Sequence, residues 1–159
     1  MPEDTADGIG GIDSDVLERI GRRLRGSARF SSVEYRPPYA PNAIVAEFDT
    51  GYFPAGVERA SLRIRWFETD DFNVHYSEQY RDGESWECWW DRHPNSPNDR
   101  EHLHQPPDAA APGEDATFAG DWRAVISRVL SELDARIQSS GTEMWEHSRQ
   151  ATRRTAIDP

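Results

Sequence analysis

The chain has 159 residues, of which 36% are hydrophobic, and its formal net charge at pH 7 is −11. This length suits one domain that buries enough surface to fold without disulfides or structural metals. All 18 basic residues are arginine, because the sequence contains no lysine, and they are outnumbered by 29 acidic residues. Such a charge disfavours loose, non-specific binding of nucleic acids, and no apolar run approaches the length of a membrane span.

The lysine-free acidic composition is typical of proteins that work in concentrated salt. Self-repulsion of such a surface is screened at molar salt, where the Debye length is about 3 Å, and arginine is more weakly hydrated than lysine. A mesophilic protein from a GC-rich genome, in which codon bias replaces lysine by arginine, is the alternative. Cys88 is the only cysteine, and residues 1–11 resemble neither a signal nor a transit peptide. The sequence therefore predicts a cytoplasmic protein.

The boundaries of the domain follow from its patterned segments. Residues 13–138 contain all of these segments and are predicted to form a single α+β domain. The acidic, glycine-rich residues 1–12 are expected to be a disordered lead-in, and residues 139–159 a flexible tail. The predicted fold is an antiparallel β-meander of four to five strands, with an N-terminal helix and a C-terminal amphipathic helix packed on one face.

Two amphipathic helices are predicted at the ends of the domain. The first runs from Asp13 to Arg25 and is capped by Asp13 or Ser14. The second begins after Asp121 and ends near Gln138. Its apolar side chains form one stripe, which consists of Trp122, Val125, Ile126, Val129, Leu130, Leu133 and Ile137. This stripe is expected to cover the apolar face of the sheet.

Strands are predicted between the helices by the alternation of apolar and polar residues. A poorly patterned first strand ends at Pro37–Pro38, and a second spans Asn42 to Asp49. The clearest signal is a set of three alternating runs between Ala60 and Asp91, which predicts three further strands joined by short turns.

The turn Arg81-Asp82-Gly83 sets the expected register of the last hairpin. A three-residue turn with glycine in the left-handed region pairs Val74 with Trp90, so that apolar side chains face each other. A two-residue turn would pair Val74 with Asp91 instead. Because a one-residue slip exchanges the two faces of a strand, the first register is preferred.

The same matching in the preceding hairpin sets Trp66 opposite Phe72. The other face of the sheet then collects polar and charged side chains, namely Arg63, Arg65, Asn73, His75, Glu87, Trp89 and Asp91. This face is either a functional surface or a solvated one that is stabilised by cross-strand charge pairs.

The proline-rich segment from His93 to Gly120 is predicted to be a long loop, and such loops are usually functional or disordered. It contains an H-x-H pair, His102 and His104. Imidazoles titrate near neutral pH and can donate or accept protons. They can also hold a divalent metal beside a carboxylate, although the spacing is not that of a closed zinc site. No phosphate-binding glycine loop, nucleophile elbow or dinucleotide fingerprint occurs, so no cofactor is expected.

Four motifs resemble the TumE family of toxin–antitoxin proteins. In chain order they are His75-Tyr76, Tyr80-Arg81-Asp82-Gly83, Trp90-Asp91-Arg92-His93-Pro94 and His102-Leu103-His104. With the terminal amphipathic helix, the resemblance covers about residues 60–138. The chain departs from the family pattern at Arg92, where the family has asparagine. The resemblance implies a small intracellular toxin that is neutralised by a cognate antitoxin encoded beside it.

Three functional hypotheses follow from these residues. In the first, the chain is a toxin that acts on RNA as a ribonuclease. Its catalytic residues would be His93, His102, His104 and Asp91. Its substrate-binding residues would be Arg63, Arg65, His75 and Arg92. In the second, the chain is a non-catalytic module that pairs with a DNA-binding partner through exposed groups such as Trp89. Metal binding by His102 and His104 is a third alternative.

Overall fold

The computed structural model of the chain describes residues 10–92, 101–104, 114–115, 118 and 120–138. These residues form two α-helices and a seven-stranded antiparallel sheet, which confirms the predicted α+β class. The helices and strands are α1 (Ser14–Arg25), β1 (Phe30–Arg36), β2 (Ala43–Phe48), β3 (Val57–Trp66), β4 (Phe72–Tyr80), β5 (Ser85–Arg92), β6 (Glu101–His104), β7 (Glu114–Asp115) and α2 (Trp122–Gln138).

Helix α1 begins where the sequence predicts. The side chain of Asp13 accepts a hydrogen bond of 3.0 Å from the backbone N–H of Val16, which satisfies one of the free donors at the start of the helix. On the face towards β1, a Cβ atom added at Gly21 would lie 2.2 Å from the hydroxyl oxygen of Tyr35. Glycine at this position therefore allows the helix to approach the sheet closely.

The sheet is a simple meander, because the order of its strands is their order in the chain. Gly83 has a φ of 87° in the turn between β4 and β5, as the three-residue turn requires. Val74 lies opposite Trp90, and Trp66 lies opposite Phe72. The predicted register of both hairpins is therefore confirmed.

Two short strands interrupt the long loop that the sequence predicts after β5. β6 pairs antiparallel with β5, and β7 pairs antiparallel with β6. The prediction of a loop is therefore wrong for residues 101–104 and 114–115. Strands of four and two residues are too short for alternation to reveal them.

Both helices pack against one face of the sheet, which we call the core face. Arg23 of α1 donates a hydrogen bond of 3.0 Å to the carbonyl oxygen of Arg123 in α2, so the helices also contact each other. The largest fully buried side chains come from both helices and four strands, and they are Trp66, Trp90, Tyr76, Phe72, Leu17, Ile20, Leu24, Ile44, Leu62, Ile64 and Ile126. The predicted packing of the two helices on one apolar face is confirmed.

The core face also contains a buried ion pair that alternation does not predict. Glu78 of β4 is 0% exposed and Arg136 of α2 is 5% exposed. Two hydrogen bonds of 3.0 and 3.1 Å join the guanidinium to the carboxylate. The hydroxyls of Tyr76 and Tyr80 donate to the same carboxylate at 2.6 and 2.7 Å. Burial raises the pKa of both tyrosines, so these hydroxyls stay protonated as donors.

The chain before α1 takes part in the hydrogen bonding of the sheet. Ile12 forms an antiparallel bridge with Phe67, and the backbone N–H of Glu68 donates to the carbonyl oxygen of Gly11 at 2.8 Å. Residues 1–9 and 139–159 lie outside the described residues, so the expected lead-in and tail stay predictions there. In the part of the chain that is described, no helix is long and apolar enough to cross a bilayer.

Candidate functional site on the open face of the sheet

The face of the sheet opposite the helices, called the open face, carries two rows of side chains across β3, β4 and β5. Residues paired directly in antiparallel strands project to the same face. The first row contains Arg63, His75 and Trp89, and the second contains Arg65, Asn73 and Asp91. Both rows match the neighbours expected from the sequence.

Strand β6 continues these two rows in register. His104 lies opposite Trp89, and His102 lies opposite Asp91. In β7, Asp115 lies opposite His102. Two of the three histidines in the predicted catalytic set therefore occupy positions next to β5, although they are far from the arginines in sequence.

The other predicted site residues of this region are placed differently. His93 lies outside the described residues. Arg92 lies on the core face, opposite Phe72, and is 5% exposed. Its Nε and Nη2 atoms donate to the carbonyl oxygen of Asp70 at 2.8 and 2.6 Å, and its guanidinium lies 4.9 Å from the ring centroid of Phe72. Burial on this face separates Arg92 from Arg63 and Arg65.

His75 lies in the middle of the open face and is half-buried, with 25% of its side chain exposed. Its ring contacts that of Trp89 edge to face, with centroids 5.0 Å apart, and Trp89 is itself half-buried rather than fully exposed. Burial lowers the pKa of His75, and Arg63 lowers it further, whereas the Glu87 carboxylate acts in the opposite direction. The net lowering favours a neutral imidazole at neutral pH.

The Nε2 atom of His75 is buried and has no hydrogen-bond partner among the residues that the structure describes. The Oε1 atom of Glu87 is 3.6 Å away, which is longer than a hydrogen bond. A buried nitrogen without a partner is uncommon in folded proteins. This histidine is therefore held in place by packing rather than by a complete set of hydrogen bonds.

The two carboxylates near His75 differ in accessibility. Asp91 is 2% exposed, whereas 37% of the Glu87 side chain is exposed. Glu87 lies opposite Ser77, which lies opposite Ser61, and the two serine hydroxyls are 3.3 Å apart. Serine side chains are short, so the surface of the sheet beside Glu87 is recessed. Glu87 is on the predicted polar face but not among the predicted site residues, and its alternation with Trp89 was the signal that could have identified it.

The sequence also raised the possibility that histidines of this region hold a metal ion. Among the described residues, no three His, Cys, Asp or Glu side chains are grouped to hold a metal ion. Metal binding by His102 and His104 stays a prediction.

Cys88 lies on the core face, and burial raises the pKa of its thiol, so this residue behaves as a small hydrophobic side chain.

The fold and the open face define a small α+β protein with histidine, arginine and carboxylate side chains on one side of a sheet. The family model described as toxin TumE matches residues 17–137, which is well over half of the chain. The chain therefore belongs to the toxin TumE family. This membership supports a toxin-like role and implies an antitoxin partner in general. No curated protein and no solved structure matches the chain.

Proposed function

We propose that the chain is the toxin of a toxin–antitoxin pair and that it cleaves RNA on the open face of its sheet. The observation that carries this proposal is the pairing of β6 with β5, which gives His102 and His104 register positions opposite Asp91 and Trp89. Membership of the toxin TumE family supports the toxin role. The cognate antitoxin would be its protein partner.

The proposed reaction is attack by a ribose 2′-hydroxyl on the adjacent phosphodiester. A general base removes the hydroxyl proton, the P–O2′ bond forms, and the P–O5′ bond breaks as a general acid protonates the departing oxygen. The products are a 2′,3′-cyclic phosphate and a 5′-hydroxyl. His93, His102 and His104 would share the acid and base roles, and Arg63 and Arg65 would stabilise the negative charge on the non-bridging phosphate oxygens. No metal is required for this reaction.

Two residues of the predicted set need different roles within this proposal. Asp91 is buried and lies opposite His102, which suits a carboxylate that orients a histidine rather than one that meets the substrate. Arg92 is buried on the core face, so Arg63 and Arg65 are better candidates for holding phosphate.

High salt would remove the main electrostatic objection to RNA binding. A chain with a net charge of −11 repels RNA at long range. At molar salt the Debye length is about 3 Å, so this repulsion is screened while direct contacts between arginine and phosphate are still available. We therefore propose that the protein works in a salt-rich cytoplasm, and its lysine-free composition supports this.

The test is RNA cleavage by the purified full-length protein in molar KCl, with single-stranded RNA as substrate and 2′,3′-cyclic phosphate ends as the measured product. We expect the wild-type protein to cleave and the His104→Ala variant to be slower by about 100-fold or more, because it lacks an acid–base group. The His147→Ala variant, changed outside the matched region, serves as the control.

Intact RNA after incubation with the wild-type protein would overturn the ribonuclease proposal. Co-purification of the same inactive protein with the product of the neighbouring gene, undiminished in a variant lacking His93, His102 and His104, would instead identify a non-catalytic module that pairs with a DNA-binding partner.

A further inference from the structure

We propose that Glu87 is the catalytic residue that accepts the proton of the 2′-hydroxyl, and that His75 is a positioning residue for its carboxylate. This inference rests on the proposed ribonuclease function and makes its site more specific. It leaves the protonation of the departing 5′-oxygen to the histidines of β6.

Accessibility distinguishes Glu87 from the neighbouring carboxylates of the open face. Asp91 is buried, and Glu47 accepts two hydrogen bonds, of 3.0 and 3.1 Å, from the Nε atom of Arg59. Glu87 is more than one-third exposed, and within the described residues its carboxylate is approached only by Nε2 of His75, at 3.6 Å. A general base must reach the proton that it removes, and Glu87 meets this requirement.

The position of His75 explains how this carboxylate is oriented. Its Nε2 atom is 3.6 Å from Oε1 of Glu87 and makes no hydrogen bond within the described part of the chain. In the tautomer that carries the proton on Nε2, a shortening of about half an ångström would make a hydrogen bond to Glu87, and catalytic hydrogen bonds often tighten when substrate binds.

The neutral state of His75 matters for this role. Burial and the nearby Arg63 lower the pKa of His75. A neutral imidazole can orient the carboxylate without the opposite charge of an imidazolium, which would stabilise the carboxylate and weaken it as a base. Burial is the largest of these influences and outweighs the opposite effect of the Glu87 carboxylate, so the net lowering is in the direction that this mechanism needs.

The surroundings of Glu87 suit a single nucleotide of RNA. Glu87 and Arg63 both act electrostatically on His75, from β5 and β3 on its two sides. Beside His75, in the row that contains Glu87, the surface of the sheet is recessed, because Ser77 and Ser61 carry short side chains. A phosphate bound by Arg63 would place the neighbouring ribose over these serines, within reach of Glu87.

The test compares the wild-type protein with Glu87→Gln and Glu87→Asp variants, and the Glu34→Gln variant is the control. Glu34 is an exposed carboxylate that pairs with Arg36 at the edge of the sheet. The readouts are the pH profile of RNA cleavage in molar KCl and the binding of an uncleavable 2′-O-methyl RNA. Circular dichroism reports whether each variant is folded.

We expect the Glu87→Gln variant to bind the methylated RNA normally and to cleave about 100-fold more slowly or worse, because an amide cannot accept the proton. The fall in rate at acid pH, caused by protonation of a carboxylate, should disappear in this variant. It should remain in the slower Glu87→Asp variant. The His75→Gln variant should lose less activity than Glu87→Gln and should change the shape of the pH profile.

If the wild-type protein cleaves RNA and the Glu87→Gln variant cleaves it with the same rate and pH profile, this inference is overturned. The ribonuclease function would then still stand. Absence of cleavage by the wild-type protein would overturn both. If the Glu87→Gln variant does not fold, the Glu87→Asp variant decides, because an unchanged rate in that variant contradicts a role that depends on the position of the carboxylate.

Discussion

The core face and the open face of the sheet both contain charged side chains, but they differ in how these groups are satisfied. On the core face, the carboxylate of Glu78 receives four hydrogen bonds from Arg136 and two tyrosine hydroxyls. On the open face, Glu87 and His75 approach within 3.6 Å without forming a hydrogen bond. A buried charge is stable only when an opposite charge and hydrogen bonds satisfy it completely. Incomplete pairing on an accessible face indicates groups that a ligand can complete.

The largest expected effect comes from breaking the pair on the core face. The Arg136→Leu variant leaves a buried carboxylate without its cation, and we expect it to lose about 3–5 kcal/mol of unfolding free energy. Denaturant unfolding at pH 7 measures this loss. In the double variant Glu78→Leu, Arg136→Leu neither charge of this pair remains, so much of the stability should return. A loss below about 1 kcal/mol in the single variant would show that the pair does not support the core.

A change on the open face is expected to lower the unfolding free energy less than the Arg136→Leu change does. Its main effect is expected on RNA cleavage. The Arg63→Ala variant removes a charge from an exposed position, and we expect its unfolding free energy to change by no more than about 0.5 kcal/mol. RNA cleavage should fall by about 100-fold, because a group that stabilises the phosphate is lost. Arg59→Ala, on the same face but paired with Glu47, is the control. Equal cleavage by both variants would contradict the proposed phosphate site.

The smallest expected effect is a dependence of stability on pH that originates at His75. Its pKa in the folded protein is lowered from the ordinary value of 6.5, so the folded state binds fewer protons than the unfolded state below that pH. The contribution of His75 is therefore unchanged above pH 6.5 and becomes destabilising as the pH falls towards the lowered value. Arg63 from β3 and Glu87 from β5 are the charged neighbours that modify this effect.

Denaturant unfolding of the wild-type protein and the His75→Gln variant at pH 7.5 and pH 5.5 measures the contribution of this histidine. The loss of stability on acidification should be smaller in the variant. An identical loss in both proteins would show that His75 is not titrating in the folded state as its burial implies.

Alternation and turn chemistry predicted the part of the site that lies on the long strands. Arg63 and His75 were expected to be cross-strand neighbours, and they are. The same alternation assigns Arg92 to the face opposite Asp91, and the core position of Arg92 follows from it. Charge alone made Arg92 a candidate for phosphate binding, and burial of its guanidinium against Phe72 opposes that role.

Other features depend on contacts between distant parts of the chain, which no local pattern encodes. Arg136 interrupts the apolar stripe of α2, and it is buried because Glu78, 58 residues away in the sequence, supplies the opposite charge. Likewise, β6 is a four-residue segment that becomes a strand because β5 offers a free edge to pair with. The accessibility of Glu87, compared with the burial of Asp91, is also a property of the folded protein.

The sequence by itself determined the α+β class, the two helices, the register of the central hairpins and the resemblance to the toxin TumE family. These features follow from interactions between near neighbours, such as helix caps, turns and apolar periodicity. Only the tertiary structure decided that β6 joins the sheet, that Glu78 and Arg136 pair in the core, and that the partly exposed Glu87 lies beside a buried His75 nitrogen. Burial and pairing are set by residues distant in sequence, so they emerge only when the chain is folded.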